Sequence, residues 1–202
     1  ERYNKTMPMP STLSAATPND LRFTLIDGSY VVSAVVPSSI TGAVNIPAIH
    51  KGLPVTKIGN FSNSKITSVT IPNSITTISD SAFYNCYSLT KFSIPQDSQL
   101  GRIGHQAFFM CIKLSNIDLP YKSVYRIGSA AFLGATSLTS ITIPRNITKI
   151  PESAFESCQR LSTVNLHEAV EEIGDNAFVY NYALKTITFP DALETIGINA
   201  FM

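Results

Sequence analysis

Few residues in this chain of 202 carry reactive chemistry, and their spacing limits what they can do. The cysteines are Cys86, Cys111 and Cys158. None forms a Cys-x-x-Cys pair, so a zinc site is not expected. The histidines, His50, His105 and His167, stand apart, and none has a partner at metal-ligand spacing. There is no Gly-rich phosphate loop and no Gly-x-Ser-x-Gly nucleophile elbow. We therefore nominate no catalytic residue, no metal ligand and no cofactor. An enzyme would need a site assembled from distant residues, and nothing in the spacing points to one. Sequons at Asn4, Asn60 and Asn146 matter only where secreted proteins are glycosylated.

The global balance narrows the partner class. Formal charge is +1 and only 14% of residues are charged. That gives no general attraction to nucleic acid or to an anionic membrane. No apolar run approaches the length of a membrane span, and no signal peptide is visible.

The informative feature is a repeat. An Ala-Phe pair returns at Phe83, Phe108, Phe132, Phe155, Phe178 and Phe201, in steps of 23 to 25 residues. Phe61 marks an earlier, degenerate copy. Five residues before each Phe of a complete pair lies Ile78, Ile103, Ile127, Ile150, Ile173 or Ile196. Gly104, Gly128, Gly174 and Gly197 follow four of these and are expected to allow a backbone bend. Short alternating runs such as Phe92-Ser93-Ile94 and Ile141-Thr142-Ile143 read as one strand per repeat with one buried face. Proline follows most of them, ending the ladder and starting a turn. The Ala-Phe-x-x-Cys-x-x-Leu stretch spaces its apolar residues like a short helical turn. Units of this size cannot bury their apolar side chains alone, so they must stack in parallel around a shared core.

The unit Leu-x-x-Ile-x-Ile-Pro-x-x-Ile-x-x-Ile-Gly-x-x-Ala-Phe-x-x-Cys resembles the BspA-like class of leucine-rich repeats over roughly residues 58–202. The resemblance implies an α/β repeat solenoid, a right-handed superhelix. Its parallel sheet would line the concave face, with short helical turns or irregular segments opposite. It also implies a surface-exposed or secreted protein that binds other proteins, often in adhesion to host matrix or to other cells. The class has no shared catalytic residues. The expected organisation is a flexible leader over 1–20, a hairpin cap and opening segment over 21–57, and an array over 58–202 that breaks off inside a unit. The cap expectation comes from Asp27-Gly28 between two β-prone runs, a hairpin signal.

Candidate binding residues follow from stacking. The polar strand positions form two rows on one face, and Lys91, Ser93, Asn116 and Asp118 are their most distinctive members. They read either as a recognition surface for an extended protein or glycan, or as a solvated sheet face. Another row, just before the core Ile, brings Arg102, Arg126 and Lys149 together, with Glu172 next. It could meet an acidic partner, or simply be a charged surface in which Lys149 pairs with Glu172. Insertions at 96–99 and 121–123 fall at one corner of adjacent units, where Tyr121 and Tyr125 offer a local contact. The cysteine column also holds Ala135, which argues for small buried residues with free thiols. A bridge between Cys86 and Cys111 is the sterically conceivable alternative. The expected partner is a protein of the matrix or cell surface, with a glycan as a second ligand class. The alternative role is a structural spacer or surface-layer scaffold displaying another domain.

Overall fold

The computed structural model describes residues 17–202. Most of the expected leader, and the sequon at Asn4, lie outside the described residues. The chain winds into a β-solenoid of about 7 turns with almost no helix. In chain order the strands are β1 (Leu21–Ile26), β2 (Ser29–Ala34), β3 (Thr41–Asn45), β4 (Ile49–His50), β5 (Leu53–Ile58), β6 (Lys65–Thr70), β7 (Thr77–Ile78) and β8 (Lys91–Ser93). Then come β9 (Arg102–Ile103), β10 (Arg126–Ile127), β11 (Ser140–Thr142), β12 (Lys149–Ile150), β13 (Thr163–Asn165), β14 (Glu172–Ile173) and β15 (Thr195–Ile196).

Most rungs carry two strand positions, not the single one expected, and the expected strand at 187–189 does not form. The first row runs β3-β6-β8 and resumes as β11-β13, all parallel. Its register stacks Ser68 on Lys91, Thr70 on Ser93, Ser140 on Thr163 and Thr142 on Asn165, as the repeat alignment requires. The second row runs β2-β5-β7-β9-β10 and resumes as β12-β14-β15. These second-row strands are mostly two residues long, too short to display alternation in the sequence.

The Ala-Phe side of each rung is not helical. Ser81 and Asn85 flank Phe83 with φ of 54° and 58°, in the left-handed region that no α-helix admits. Later rungs repeat this at Gln106 and Met110, Ala130 and Gly134, Ser153 and Ser157, and Asn176 and Tyr180. The result is a run of tight turns in which alternate amides divide their work. The N–H groups of Ala82, Tyr84 and Cys86 donate within the rung, to Ser79, Ser81 and Phe83 O. Those of Ser81, Phe83 and Asn85 donate to His105, Ala107 and Phe109 O of the next rung. No buried amide of this stretch is left over, which is why a helix-free wall is tolerated.

The core is a column. Phe61, Phe83, Phe108, Phe132, Phe155 and Phe178 are all buried, and successive rings stack with centroids 5.3–5.5 Å apart. The Ile column of the second row lies beside them, buried from Ile58 through Ile173. Cys86, Cys111 and Cys158 are buried free thiols. Each Sγ donates to the carbonyl of a core Phe in an earlier rung, Phe61, Phe83 and Phe132 respectively, at 3.2–3.3 Å. Burial raises the Cys158 thiol to about 12 and holds Cys111 well above its ordinary value. Thiolate is the reactive form. Iodoacetamide is therefore expected to label neither Cys111 nor Cys158 of the folded chain at pH 8 and both after denaturation, as read by peptide mass; the Cys111 hydrogen bond, against burial, holds the Cys86 thiol below its ordinary value.

At the amino-terminal end the expected hairpin is present. β1 pairs antiparallel with β2 through Asp27 and Gly28, both at positive φ. β2 continues parallel onto β5, so the hairpin extends the second row. Phe23 stacks on His50 at 3.9 Å between ring centroids.

Candidate binding clefts at an interrupted rung

At four rungs of the second row, glycine allows a close approach of neighbouring backbones. The N–H groups of Gly104, Gly128, Gly174 and Gly197 donate to Ile78, Ile103, Ile150 and Ile173 O at 2.7–2.9 Å. A Cβ on Gly104 would stand 2.4 Å from Asp80 N, and one on Gly128 2.4 Å from His105 N. None of these glycines has a positive φ, so their role is close approach of the preceding rung, not the backbone bend expected from sequence. After Ile150 the same column holds Pro151. Its ring removes the N–H donor, whereas Ser79, also in this column, keeps its own and donates to Ile58 O at 2.9 Å. The ladder breaks there, and β10 and β12 belong to separate sheets.

The first row is interrupted at the same rung. Asn116 makes an isolated bridge to Lys91, and Ile117 and Asp118 join no strand. This segment lies between the two lengthened corners, 96–99 and 121–123. Extra corner residues loosen the register that holds the other strands in line.

Three clefts open around this rung. One of about 380 Å³ is lined by Lys91, Ser93, Asn116 and Asp118. The next, of about 280 Å³, is lined by Gln96, Asn116, Asp118, Tyr121, Ser140 and Thr142. Asn116 stands between them and donates its Nδ2 to both carboxylate oxygens of Asp118 at 3.3 Å. The third, of about 300 Å³, lies at the Pro151 break and includes His105, Tyr125, Arg126, Asn146 and Lys149.

The structure thus gathers Lys91, Ser93, Asn116, Asp118 and Tyr121 around the first two clefts, and Tyr125, Arg126 and Lys149 around the third. Arg102 lines none of these. The expected run of three stacked cations is broken: Arg102 and Arg126 are register partners, but Lys149 stands across the interrupted ladder. Lys149 does pair with Glu172, with Nζ 2.6 Å from Oε1. Pro151 was not singled out from sequence, and His105 and Asn146 were read there only as an isolated histidine and a sequon. The proline was visible in a column that is mostly glycine, with Ser79 the other exception, but only the closeness of the rungs gives it meaning.

Arg102 is held by Asp80. Burial alone would raise the Asp80 carboxyl. The His105 N–H at 3.0 Å and the Arg102 guanidinium at 3.2 Å outweigh it and hold the carboxyl below its usual 3.8. A lowered folded pKa stabilises fully above the unfolded value and is lost as pH falls through the folded one. The stability gap between wild type and Asp80→Asn, read from urea midpoints, is expected to be flat above about pH 5 and to close as pH drops below about 4.

A β-solenoid with stacked aromatic and isoleucine columns and no helical wall is a leucine-rich repeat scaffold of a particular kind. The chain belongs to the BspA type leucine rich repeat family, whose family model matches in six copies over residues 43–122 and 76–202. It is similar to a leucine rich cell surface protein of Faecalibacterium prausnitzii A2-165. Identity there is 34% and the TM-score 0.78, over 93% of this chain and 52% of that one. The T. pallidum leucine rich repeat protein shares the fold at 24% identity and a TM-score of 0.65, over 89% of this chain and 92% of that one. So does a leucine-rich repeat protein of Bacteroides ovatus ATCC 8483, at 24% identity and 0.61, over 88% and 54%. The chain spans about half the length of the first and third of these. No curated protein matches it. Among the described residues no helix is long and apolar enough to cross a membrane.

Proposed function

We propose that this chain is the binding module of a cell-surface or secreted bacterial protein and acts without catalysis. It holds a protein partner noncovalently, in adhesion to host matrix or to the surfaces of neighbouring cells. The observation that carries this reading is the interrupted rung. In the following rungs β11-β13 and β12-β14-β15 pair in unbroken parallel register. At this rung, clefts with charged, amide and phenol groups on their walls open side by side, between blocks of paired strands. Such a surface suits an extended polypeptide, whose side chains can enter successive clefts. The family and the cell-surface protein of F. prausnitzii support the location. In the same reading the β1-β2 hairpin serves as a cap that shields the first core layer from water.

The test is capture of matrix and cell-surface proteins by the immobilised chain, repeated at high salt. Saturable capture is expected for wild type and for Thr163→Ala, which changes a regular part of the first row. The double variant Asp118→Ala, Tyr121→Ala should lose it while keeping the wild-type thermal midpoint. Equal capture by wild type and the double variant would place the contact elsewhere. Failure to enrich any partner would leave the chain as a spacer.

A further inference from the structure

The cleft at Pro151 differs from the other two in its charge. Its walls carry Arg126 and Lys149 and no carboxylate, whereas Asp118 lines both of the others. The neighbouring cations in the row are already neutralised, Arg102 by Asp80 and Lys149 by Glu172. Among the described residues Arg126 has no such partner. His105 adds a hydrogen-bond donor. Its Nδ1 accepts from Ser129 N–H at 3.2 Å, so the neutral ring carries its proton on Nε2. The broken ladder adds more. In the following rung Glu171 and Glu172 both donate their N–H groups to Thr148 O. The equivalent groups of Thr148 and Lys149 have no ladder acceptor across the break.

We propose that this cleft seats a carboxylate side chain from an acidic, extended segment of the bound protein. Arg126 supplies a planar fork that suits a carboxylate. His105 and the open backbone N–H groups of Thr148 and Lys149 supply the remaining donors. A sulfated polymer fits less well, because it needs a run of unpaired cations and the flanking ones here are paired. The inference rests on the protein-binding reading and adds the chemistry of one contact.

Pro151 makes the test specific. Pro151→Gly returns the missing N–H and removes the ring, so the rungs can close as they do elsewhere, with every charge left in place. A dye-labelled, Glu-rich peptide is titrated against the folded chain by fluorescence polarisation, with inorganic sulfate and a heparin oligosaccharide as parallel competitors. Circular dichroism verifies that each variant is folded. Saturable binding is expected for wild type. Arg126→Gln should weaken it by ~10-fold or more, the loss of one charge-assisted contact. Arg102→Gln, the same change of charge one rung away, should weaken it by less than about 2-fold. Pro151→Gly should weaken it as much as Arg126→Gln does.

Peptide binding at wild-type strength in Pro151→Gly, or equal losses in the Arg102 and Arg126 variants, would reduce the contact to diffuse charge and overturn the proposal. Heparin binding that depends on Arg126, with no peptide binding, would make this a glycan site instead. A chain that captures protein partners yet ignores the peptide would sink this inference alone. A chain that captures no partner would sink the broader reading, while the peptide titration still reports on the cleft.

Discussion

Phe132→Ala is expected to lower the free energy of unfolding by about 3–5 kcal/mol, the range for emptying a packed aromatic site in a core. Phe132 is fully buried at mid-array and stacks on Phe108 at 5.3 Å and on Phe155 at 5.4 Å. Its ring touches a neighbour on both sides, so the loss falls on two interfaces between rungs. Both interrupted ladders lie beside this part of the column, where the stacked rings and the N–H bonds of Ala130, Phe132 and Gly134 to Glu152, Ala154 and Glu156 O still join the rungs. In an array stabilised by nearest-neighbour contacts, weakening the middle uncouples the ends. Urea denaturation followed by far-ultraviolet circular dichroism should therefore show a lower midpoint and a broadened or divided transition. Tyr125→Ala, on an exposed lip, should change stability by no more than about 0.5 kcal/mol. A cost below about 1 kcal/mol for Phe132→Ala would contradict a shared core.

Gly128→Ala should cost about 1–3 kcal/mol through overpacking, although alanine is usually a mild replacement. The added methyl would meet His105 N at 2.4 Å and Gly104 C at 2.6 Å, and both are backbone atoms that cannot rotate away. Relief requires the rungs to part, which stretches the Gly128 N–H bond to Ile103 O. Gly28→Ala is the useful contrast. No atom lies within 4 Å of its Cβ position, but φ is +76°, so its cost of roughly 1–2 kcal/mol is conformational. Thermal melts of both variants separate crowding from strain. Hydrogen exchange adds a local readout, because only Gly128→Ala should speed exchange of the second-row amides around it.

The sequence carried the stacking well, because recurrence at a fixed period reports directly on which side chains share a layer. The Phe and Ile columns, the polar register of the first row and the Asp27-Gly28 hairpin are all read from residue types alone. The Ala-Phe wall was misread because apolar residues at helical spacing also suit consecutive tight turns. The contrary signal was present in Asn85, Gly134, Asn176 and Asn199, residue types that accept positive φ at low cost. The second strand row was missed because two residues per rung leave no alternation to detect. For the clefts, the insertions and Tyr121 were suggestive. What stayed hidden was that two separate irregularities, lengthened corners in one row and Pro151 in the other, coincide at one level of the stack. That coincidence is a fact of three-dimensional register and cannot be seen along the chain.

The interrupted rung also has a mechanical meaning. A solenoid pulled along its axis behaves as links in series, and the softest link takes most of the extension. Here two blocks of paired strands meet where both ladders are interrupted, while the Phe side of the winding keeps its hydrogen bonds. Tension would part the molecule first where the clefts lie, changing their shape before any other layer yields. In the adhesive role proposed above, strain would then reach the proposed point of attachment first, so grip would vary with force.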